Sequence, residues 1–195
     1  MMNTVVLTET FPEPPFSKKE IIRYAGGGEC DKETEKLLDE AIAEVRDALS
    51  YKVCYCELPV RVENDVCDFT AFSVNSRDLA KNLRECDGAV LFAATVGSGI
   101  DRLISKYSRI SPSKALMLQA VGAERIEALC DVFCKGLKPR FSPGYGDLPL
   151  DVQEKIFGIL RCDKHIGLCL SRSLIMSPSK SVTAFAGKIN KRGSL

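Results

Sequence analysis

The chain has 195 residues, of which 45% are hydrophobic and 27% are charged, and its formal net charge is +1. This balance is typical of a globular protein and excludes the basic surface that nucleic-acid binding requires. The longest apolar run, Ala89–Ala94, is too short to cross a membrane, and the N-terminal stretch MMNTVVLTETF lacks the basic segment of a signal peptide. We therefore expect a cytoplasmic protein that binds neither nucleic acid nor membrane.

The N-terminal part predicts an extended arm followed by two helices. Three prolines within residues 1–16 forbid a helix there. We assign residues 1–16 to the arm and residues 17–195 to a single α+β domain. Ser17 is the expected N-cap of a short helix that ends in Gly26–Gly28, and Asp31 is the expected N-cap of a longer amphipathic helix.

The middle of the chain predicts strands. Alternating apolar positions predict a strand over 54–62 and a second over 66–72, with a turn at 64–65. Ser76 opens a helix. The nearly continuous apolar run 88–96 then predicts a central strand that is buried on both faces.

The C-terminal half predicts long helices and two more strands. The longest helix begins at Pro112, and after a loop rich in Gly and Pro a further helix starts at Pro149. Residues 166–176 and 181–189 predict two strands joined by a Ser-Pro-Ser-Lys turn. Strand pairs separated by helices indicate an α+β fold, with a mixed or antiparallel sheet and long flanking helices.

Nine cysteines are a high number for this length. An odd count in a chain with an intracellular composition argues against a disulfide framework. The close pairs, Cys54/Cys56 and Cys130/Cys134, have no second pair at the spacing of a metal site. We interpret the cysteines as buried thiols and keep a thiol-based metal or iron–sulfur protein as an alternative.

The segment RFSPGYGDLPL, Arg140–Leu150, combines a fixed cation, an aromatic hydroxyl and a restricted backbone. The planar guanidinium of Arg140 suits carboxylate recognition, and Tyr145 offers a ring face and a hydroxyl. From the residues alone, this segment is either a ligand-binding loop or a structural turn with no ligand.

The long helix before this loop carries three carboxylates, one turn apart, on one side. They are Glu124, Glu127 and Asp131. They form either a solvated face or, if the loop folds back over them, a place for the ammonium group of a ligand.

Two ordered motifs resemble the activation domain of cobalamin-dependent methionine synthase. RFSPGYGDLPL with EKIFGIL is similar to that family's Arg, Gly-Tyr and Pro segment with its amphipathic helix. IGLCLSRSLIMSPSKSVTAF is similar to the later Met, Pro turn and Ser-Val strand. The order and spacing match over residues 115–190, and the N-terminal part is similar to the small stand-alone members.

The resemblance implies an activation-domain fold and a site for S-adenosylmethionine. Arg140 would take the methionyl carboxylate, and Gly144 and Tyr145 would line the same site. Glu127 falls where the family has a ligand-binding Glu. A second set of residues would face the corrin or the partner protein: Ser171, Arg172, Ser173 and Met176.

The resemblance also implies a partner that holds cobalamin, either a methionine synthase or another corrinoid methyltransferase. In that family the domain caps the corrin after accidental oxidation, an electron arrives from a flavodoxin-like donor, and S-adenosylmethionine remethylates the cobalt. The chain would be an accessory module with no catalytic residue or metal ligand of its own. A self-contained methyltransferase is disfavoured, because the sequence offers no nucleophile–base pair.

Two departures from the family pattern support an alternative function. The family's Thr-Glu-Ser segment reads Ser171-Arg172-Ser173 here, so a cation replaces a carboxylate. The family's N-terminal segment with a ligand-binding Asp is not found. The alternative is a ligand-free interaction module for a corrinoid protein, which keeps the fold and has lost S-adenosylmethionine binding.

Overall fold

The computed structural model describes residues 4–28 and 30–189, so residues 1–3 of the predicted arm lie outside the described part. A short 3₁₀ helix, Arg46–Ala48, follows the second α-helix. In chain order the elements are β1 (Leu7–Phe11), α1 (Lys18–Tyr24), α2 (Lys32–Val45), β2 (Tyr51–Pro59), β3 (Arg61–Glu63), β4 (Val66–Asp68), β5 (Ser73–Asn75), α3 (Arg77–Leu83), β6 (Gly88–Thr95), α4 (Gly99–Ile110), α5 (Pro112–Phe133), α6 (Val152–Leu160), α7 (Cys162–Ile166), β7 (Cys169–Leu170), β8 (Met176–Ser177) and β9 (Ser181–Lys188).

The centre of the molecule is a four-stranded antiparallel sheet in the order β1-β2-β6-β9. Tyr55 of β2 lies opposite Phe92 of β6, and Leu91 of β6 lies opposite Phe185 of β9. A three-stranded sheet, β3-β4-β5, and a two-stranded hairpin, β7-β8, complete the strands. The predicted α+β class with an antiparallel sheet and flanking helices is confirmed.

Both faces of the central sheet are buried. Alternation along β2 sends Val53 to a core shared with α1, α2, α4 and α5, and sends Cys54 and Cys56 to a second core shared with α3, α6 and α7. The predicted central strand, β6, is buried along nearly its whole length. Six of the nine thiols are buried, as predicted. They behave as small hydrophobic groups of the two cores.

Local signals in the sequence set where the helices begin. The side chain of Ser17 accepts a hydrogen bond from the Glu20 N–H at 3.4 Å, and that of Asp31 accepts one from the Thr34 N–H at 2.8 Å. These contacts confirm both predicted N-caps. Pro112 is the first residue of the 22-residue helix α5, also as predicted. Within residues 4–28 and 30–189, none of the helices combines the length and the hydrophobicity of a membrane span.

Four sequence predictions about elements are wrong. The predicted strand over 54–62 is divided between two sheets, since β2 ends at Pro59 and β3 begins at Arg61. The predicted strand over 66–72 ends at Asp68, because Thr70 has a φ of +67° and turns the chain into β5. The helix expected from Pro149 begins at Val152. The predicted strand 166–176 does not pair with 181–189.

The region 166–176 shows how a long-range partner changes the outcome. Helix α7 ends at Ile166, where Gly167 has a φ of +70°, and only β7 and β8 pair in a short hairpin. Strand β9 is buried on both faces, so it pairs with β6 inside the central sheet instead. The polar tip of the hairpin stays in solvent.

Candidate ligand-binding cleft

A cleft of about 820 Å³ lies between the C-terminal half of α5, the loop over 138–145 and the start of β9. This volume is in the range of small-molecule sites. The walls carry both charged and apolar side chains, and Met176 of the short hairpin closes one side.

The loop is held in place by the free edge of β9. Phe141 and Phe185 exchange two backbone hydrogen bonds, with N–O distances of 2.8 and 2.9 Å, and the Lys138 N–H donates to Gly187 O at 2.9 Å. The Phe141 side chain packs against the second core. The neighbouring side chain, Arg140, points toward α5, where its partners lie.

Arg140 connects the loop to α5 by ion pairs. One amino group contacts the Glu127 carboxylate, and the other donates to Asp131 Oδ1 at 2.6 Å. The Arg140 side chain is 22% exposed. Burial disfavours its charged form, but the hydrogen bond to Asp131 and the nearby negative charges outweigh burial and raise the pKa of Arg140 above its ordinary value. The loop therefore folds back over the carboxylates, as the ligand-site interpretation of the sequence requires.

The three carboxylates of α5 do not share one environment. Glu127 and Asp131 line the cleft, but Glu124 is 4% exposed and forms a buried ion pair with Arg125 at 2.6 Å. The solvated-face interpretation is therefore wrong for Glu124. It holds the N-terminal segment instead, since it also accepts a hydrogen bond from the Ser17 N–H at 3.1 Å.

The other predicted ligand residues lie on the turn after Arg140. Tyr145 lines the cleft at its rim and is 71% exposed. Gly144 has a φ of +87° and its N–H donates to Leu148 O at 2.9 Å, so its N–H already has a partner within the turn. Gly144 lies beside the cleft lining rather than in it. The sequence thus identified three residues that meet in one cleft, Arg140, Glu127 and Tyr145.

The predicted partner-facing residues separate into two places. Met176 lines the cleft. Ser171, Arg172 and Ser173 form the exposed tip of the β7-β8 hairpin, where Ser171 Oγ accepts a hydrogen bond from the Ile175 N–H at 3.1 Å. That these residues face a partner stays a prediction.

A solved structure has a similar architecture. The MetH reactivation domain bound to AdoHcy superposes with a TM-score of 0.68 at 14% sequence identity, covering 100% of this chain and 81% of that chain. The chain has the reactivation-domain fold. At this identity the likeness shows the fold alone. No protein-family model matches the sequence, and a search of curated proteins finds no similar sequence.

Sequence reasoning missed several residues that line the cleft of this reactivation-domain fold, among them Cys134, Gln153 and Thr183. One signal in the sequence could have identified Thr183, since it is a polar residue within the otherwise apolar strand SVTAFAGK.

Burial raises the pKa of the Cys134 thiol to about 11, so this thiol stays protonated at neutral pH. Among the described residues, no cluster of three or more His, Cys, Asp or Glu side chains is arranged to hold a metal ion.

Asp147 fixes the far end of the loop to the start of α3. Its carboxylate accepts hydrogen bonds from Ser76 Oγ at 2.5 Å, from the Arg77 N–H at 2.9 Å and from the Asp78 N–H at 3.2 Å. The carboxylate thus satisfies N–H groups at the helix N-terminus, where the helix dipole also favours negative charge. The hydrogen bond from the Ser76 hydroxyl lowers the pKa of Asp147 below its ordinary value, and the backbone donors lower it further.

This contact predicts a pH-dependent stability. Because the pKa of Asp147 is lower in the folded state, its contribution is present above the unfolded-state pKa, near 3.8, and is lost as the pH falls through the folded-state pKa. We expect Asp147→Asn to lower the urea midpoint at pH 7, and the difference from the wild type to shrink below about pH 4. Asp163→Asn, at an exposed carboxylate outside the loop, is the control. A constant difference across this pH range would contradict the prediction.

Gly146 is required by its backbone conformation. Its φ is +53°, and a Cβ at this position would displace the partly exposed Asp78 carboxylate. We expect Gly146→Ala to lower the free energy of unfolding by about 1–2 kcal/mol, because alanine is strained in the left-handed conformation. Gly158→Ala is the matched control, since its Cβ meets open space in α6. That change should stabilise by about 0.5–1 kcal/mol. Urea unfolding compares the two, and equal stabilities would contradict the assignment.

Proposed function

We propose that this chain is an activation module that binds S-adenosylmethionine and supports reductive remethylation of the cobalamin held by a methyltransferase. One observation carries the proposal. Arg140, Glu127 and Tyr145 meet in one cleft of about 820 Å³. The cleft lies in a chain whose fold is that of a reactivation domain solved with AdoHcy bound.

The charged groups of the cleft suit a ligand that carries both signs of charge. The lining holds two cations, Lys138 and Arg140, and two carboxylates, Glu127 and Asp131. S-adenosylmethionine carries a sulfonium, an ammonium and a carboxylate. The lining therefore offers carboxylates for the cationic groups of the ligand and a cation for its carboxylate.

Arg140 also has N–H donors that its two carboxylate partners do not use. A guanidinium has five N–H donors, and two of them serve Asp131 and Glu127. In the proposed complex a remaining donor takes the methionyl carboxylate, and the ring of exposed Tyr145 covers the ligand. The two carboxylates of α5 are then available to the ligand's ammonium group.

The proposed role of the chain is proximity rather than chemical catalysis. When bound, S-adenosylmethionine supplies the methyl group, and the residues of the cleft hold it in a fixed orientation above the corrin of the partner. We place Met176 and the hairpin tip Ser171, Arg172 and Ser173 toward that partner. The electron comes from a flavodoxin-like protein in this scheme.

Isothermal titration of the full chain with S-adenosylmethionine tests the ligand claim. We expect a saturable heat with one site per chain. The activation claim is tested with a cob(II)alamin-loaded methionine synthase that lacks its own activation domain, where methylcobalamin should form only with this chain, the ligand and a reductant. Absence of heat, both alone and with the cobalamin partner, would end the ligand claim.

A second candidate function has its own observation. Arg140 already pairs with two carboxylates of its own chain, so the main carboxylate-binding group is neutralised without any ligand. This arrangement favours a ligand-free module that docks on a corrinoid protein. Capture of the same purified partner with and without S-adenosylmethionine separates the two, because the second candidate requires equal capture in both.

A further inference from the structure

The two outer edges of the central sheet differ in how they are covered. The loop over 138–145 covers the edge of β9, where Phe141 pairs with Phe185. At the opposite edge β1 pairs only with β2, and no other strand of residues 4–28 and 30–189 lies beyond it. An uncovered edge presents N–H and C=O groups to which another extended chain can pair. The outer edge of β1 is therefore the open end of the sheet.

The backbone groups that face outward from β1 follow from the registers of the sheet. Phe185 of β9 directs its N–H and C=O to the loop. These directions alternate along each strand, and residues opposite each other across a ladder point either both toward or both away from one another. Carried through the continuous registers of β9, β6 and β2, this rule directs Tyr55 and its partner Leu7 toward each other. The N–H and C=O groups of Thr8 and Thr10 therefore point away from the sheet.

The side chains of this edge carry only one charge. Val5, just before β1, is 70% exposed, and Leu7 is 48% exposed. Within Leu7–Phe11 the only charged residue is Glu9, and the strand has neither a proline nor a bulge. Natural proteins protect an unpaired edge with prolines, lysines or bulges, and β1 has none of these devices. The strand is thus suited to pair with a further strand.

We infer that the outer edge of β1 is a dimer interface, at which a second copy of this chain adds its own β1 in antiparallel orientation. A two-fold axis relates the copies, so each contact between different residues occurs twice. Glu9 disfavours registers that place it opposite Glu9 of the second copy. In the register that places Leu7 opposite Leu7 of the second copy, Glu9 lies opposite Val5. Val6 and Thr8 of opposite copies then exchange backbone hydrogen bonds, and the exposed leucines cover each other.

Two observations favour a second copy as the occupant of this edge. The register brings apolar side chains together and keeps the single carboxylate of each strand away from its equivalent. The two four-stranded sheets would join, and β9 with its covering loop would form both outer edges of the joined sheet. Assembly therefore closes at two copies. The cleft lies at the β9 edge, so the dimer leaves it accessible and the inference is independent of the proposed function.

Sedimentation velocity of the full chain, across micromolar to sub-millimolar concentrations, tests the dimer. We expect a concentration-dependent change from the mass of one chain to that of two, without larger species. Amide hydrogen exchange followed by NMR over the same range locates the interface. The outward N–H groups of Thr8 and Thr10 should gain protection as the dimer forms, whereas those of Leu7 and Glu9, which face β2, should not.

Thr8→Pro removes an outward N–H and should raise the dissociation constant of the dimer at least about tenfold. It should leave the pairing with β2 intact, because the N–H of Thr8 does not face β2. Thr8→Val is the matched control. It loses the same hydroxyl, which lies 3.1 Å from His165 Nδ1 of α7, but it keeps the N–H and should dimerise like the wild type.

Leu7→Glu tests the same interface through a side chain. It places two carboxylates opposite each other across the two-fold axis and should weaken the dimer at least about tenfold. Leu116→Glu, at a leucine of α5 that is 56% exposed, is the control and should dimerise like the wild type. This second pair of variants decides the question if Thr8→Pro does not fold.

The outcomes separate the dimer from the proposed function. A wild type that remains monomeric at every concentration would overturn the dimer and leave the proposed function untouched. A dimer that neither Thr8→Pro nor Leu7→Glu weakens would place the interface elsewhere and also overturn the inference. Oligomers that keep growing with concentration would contradict the two-fold pairing. A chain that dimerises at this edge but binds no S-adenosylmethionine would support the dimer and end the proposed function alone.

Discussion

Arg140→Ala is expected to weaken S-adenosylmethionine binding by about 1.5–3 kcal/mol, which corresponds to roughly 10- to 150-fold in the dissociation constant. The guanidinium is the one cation in the lining that already contacts both carboxylates of α5 within the described residues. Its loss removes the charged hydrogen bond to the ligand's carboxylate. It also leaves Glu127 and Asp131 facing that carboxylate without a neutralising charge. Isothermal titration measures the effect.

Two further variants decide how Arg140 acts. Arg140→Lys keeps the charge but loses the planar fork, so its affinity should fall between those of the wild type and Arg140→Ala. Arg109→Ala, at an exposed position at the end of α4, should bind like the wild type. An unchanged dissociation constant for Arg140→Ala would remove Arg140 from the ligand site and would favour the ligand-free module.

The affinity loss is separable from a loss of stability. Asp131 is 71% exposed and Glu127 is 40% exposed, so solvent screens their repulsion once the cation is gone. The loop also keeps its backbone hydrogen bonds to the edge of β9. We therefore expect a melting temperature for Arg140→Ala close to that of the wild type, and the binding change can then be assigned to the site itself.

The sequence predicted best those features that depend on neighbours along the chain. Ser17 and Asp31 cap the expected helices because a cap requires only its own side chain and an N–H three residues later. The buried strand β6 is readable for the same reason, since a continuous apolar run already implies two covered faces.

Features that depend on distant partners were predicted less well. The pairing of β9 with β6 rather than with residues 166–176 is decided by burial in the central sheet, which local alternation does not encode. The motif around Arg140 and Tyr145 indicated a ligand loop. Gln153 and Thr183 also line the cleft, but they come from α6 and β9 and meet only in the folded chain. Arg125 is a further case, because its position on the apolar stripe of α5 gave no sign of its partners.

Arg125 is fully buried and anchors the N-terminal segment to α5. Its Nη1 donates to Pro14 O at 2.5 Å and its Nη2 to Pro15 O at 2.8 Å. Its Cζ lies 3.7 Å from the centre of the Phe16 ring. The prolines lack N–H groups, so this part of the chain forms few backbone hydrogen bonds of its own. The guanidinium supplies the contacts that a strand or helix would otherwise provide.

Arg125→Ala is expected to lower the free energy of unfolding by about 3–5 kcal/mol, because removing one member of a buried ion pair leaves the Glu124 carboxylate buried without its partner. For a domain of this size the melting temperature should fall on the order of 10 °C. Limited proteolysis should cut the segment before α1 sooner than in the wild type, since Pro14 and Pro15 lose their anchor.

The double variant Arg125→Met with Glu124→Gln separates charge from packing. It removes both charges and keeps similar side-chain volumes, so it should regain much of the stability that Arg125→Met loses alone. The Ser17 N–H keeps an acceptor in the double variant, because the amide oxygen of the substituted side chain replaces Glu124 Oε1. If the two substitutions destabilise additively, the uncompensated carboxylate is not the cause, and the cost lies in the lost contacts with Pro14, Pro15 and Phe16.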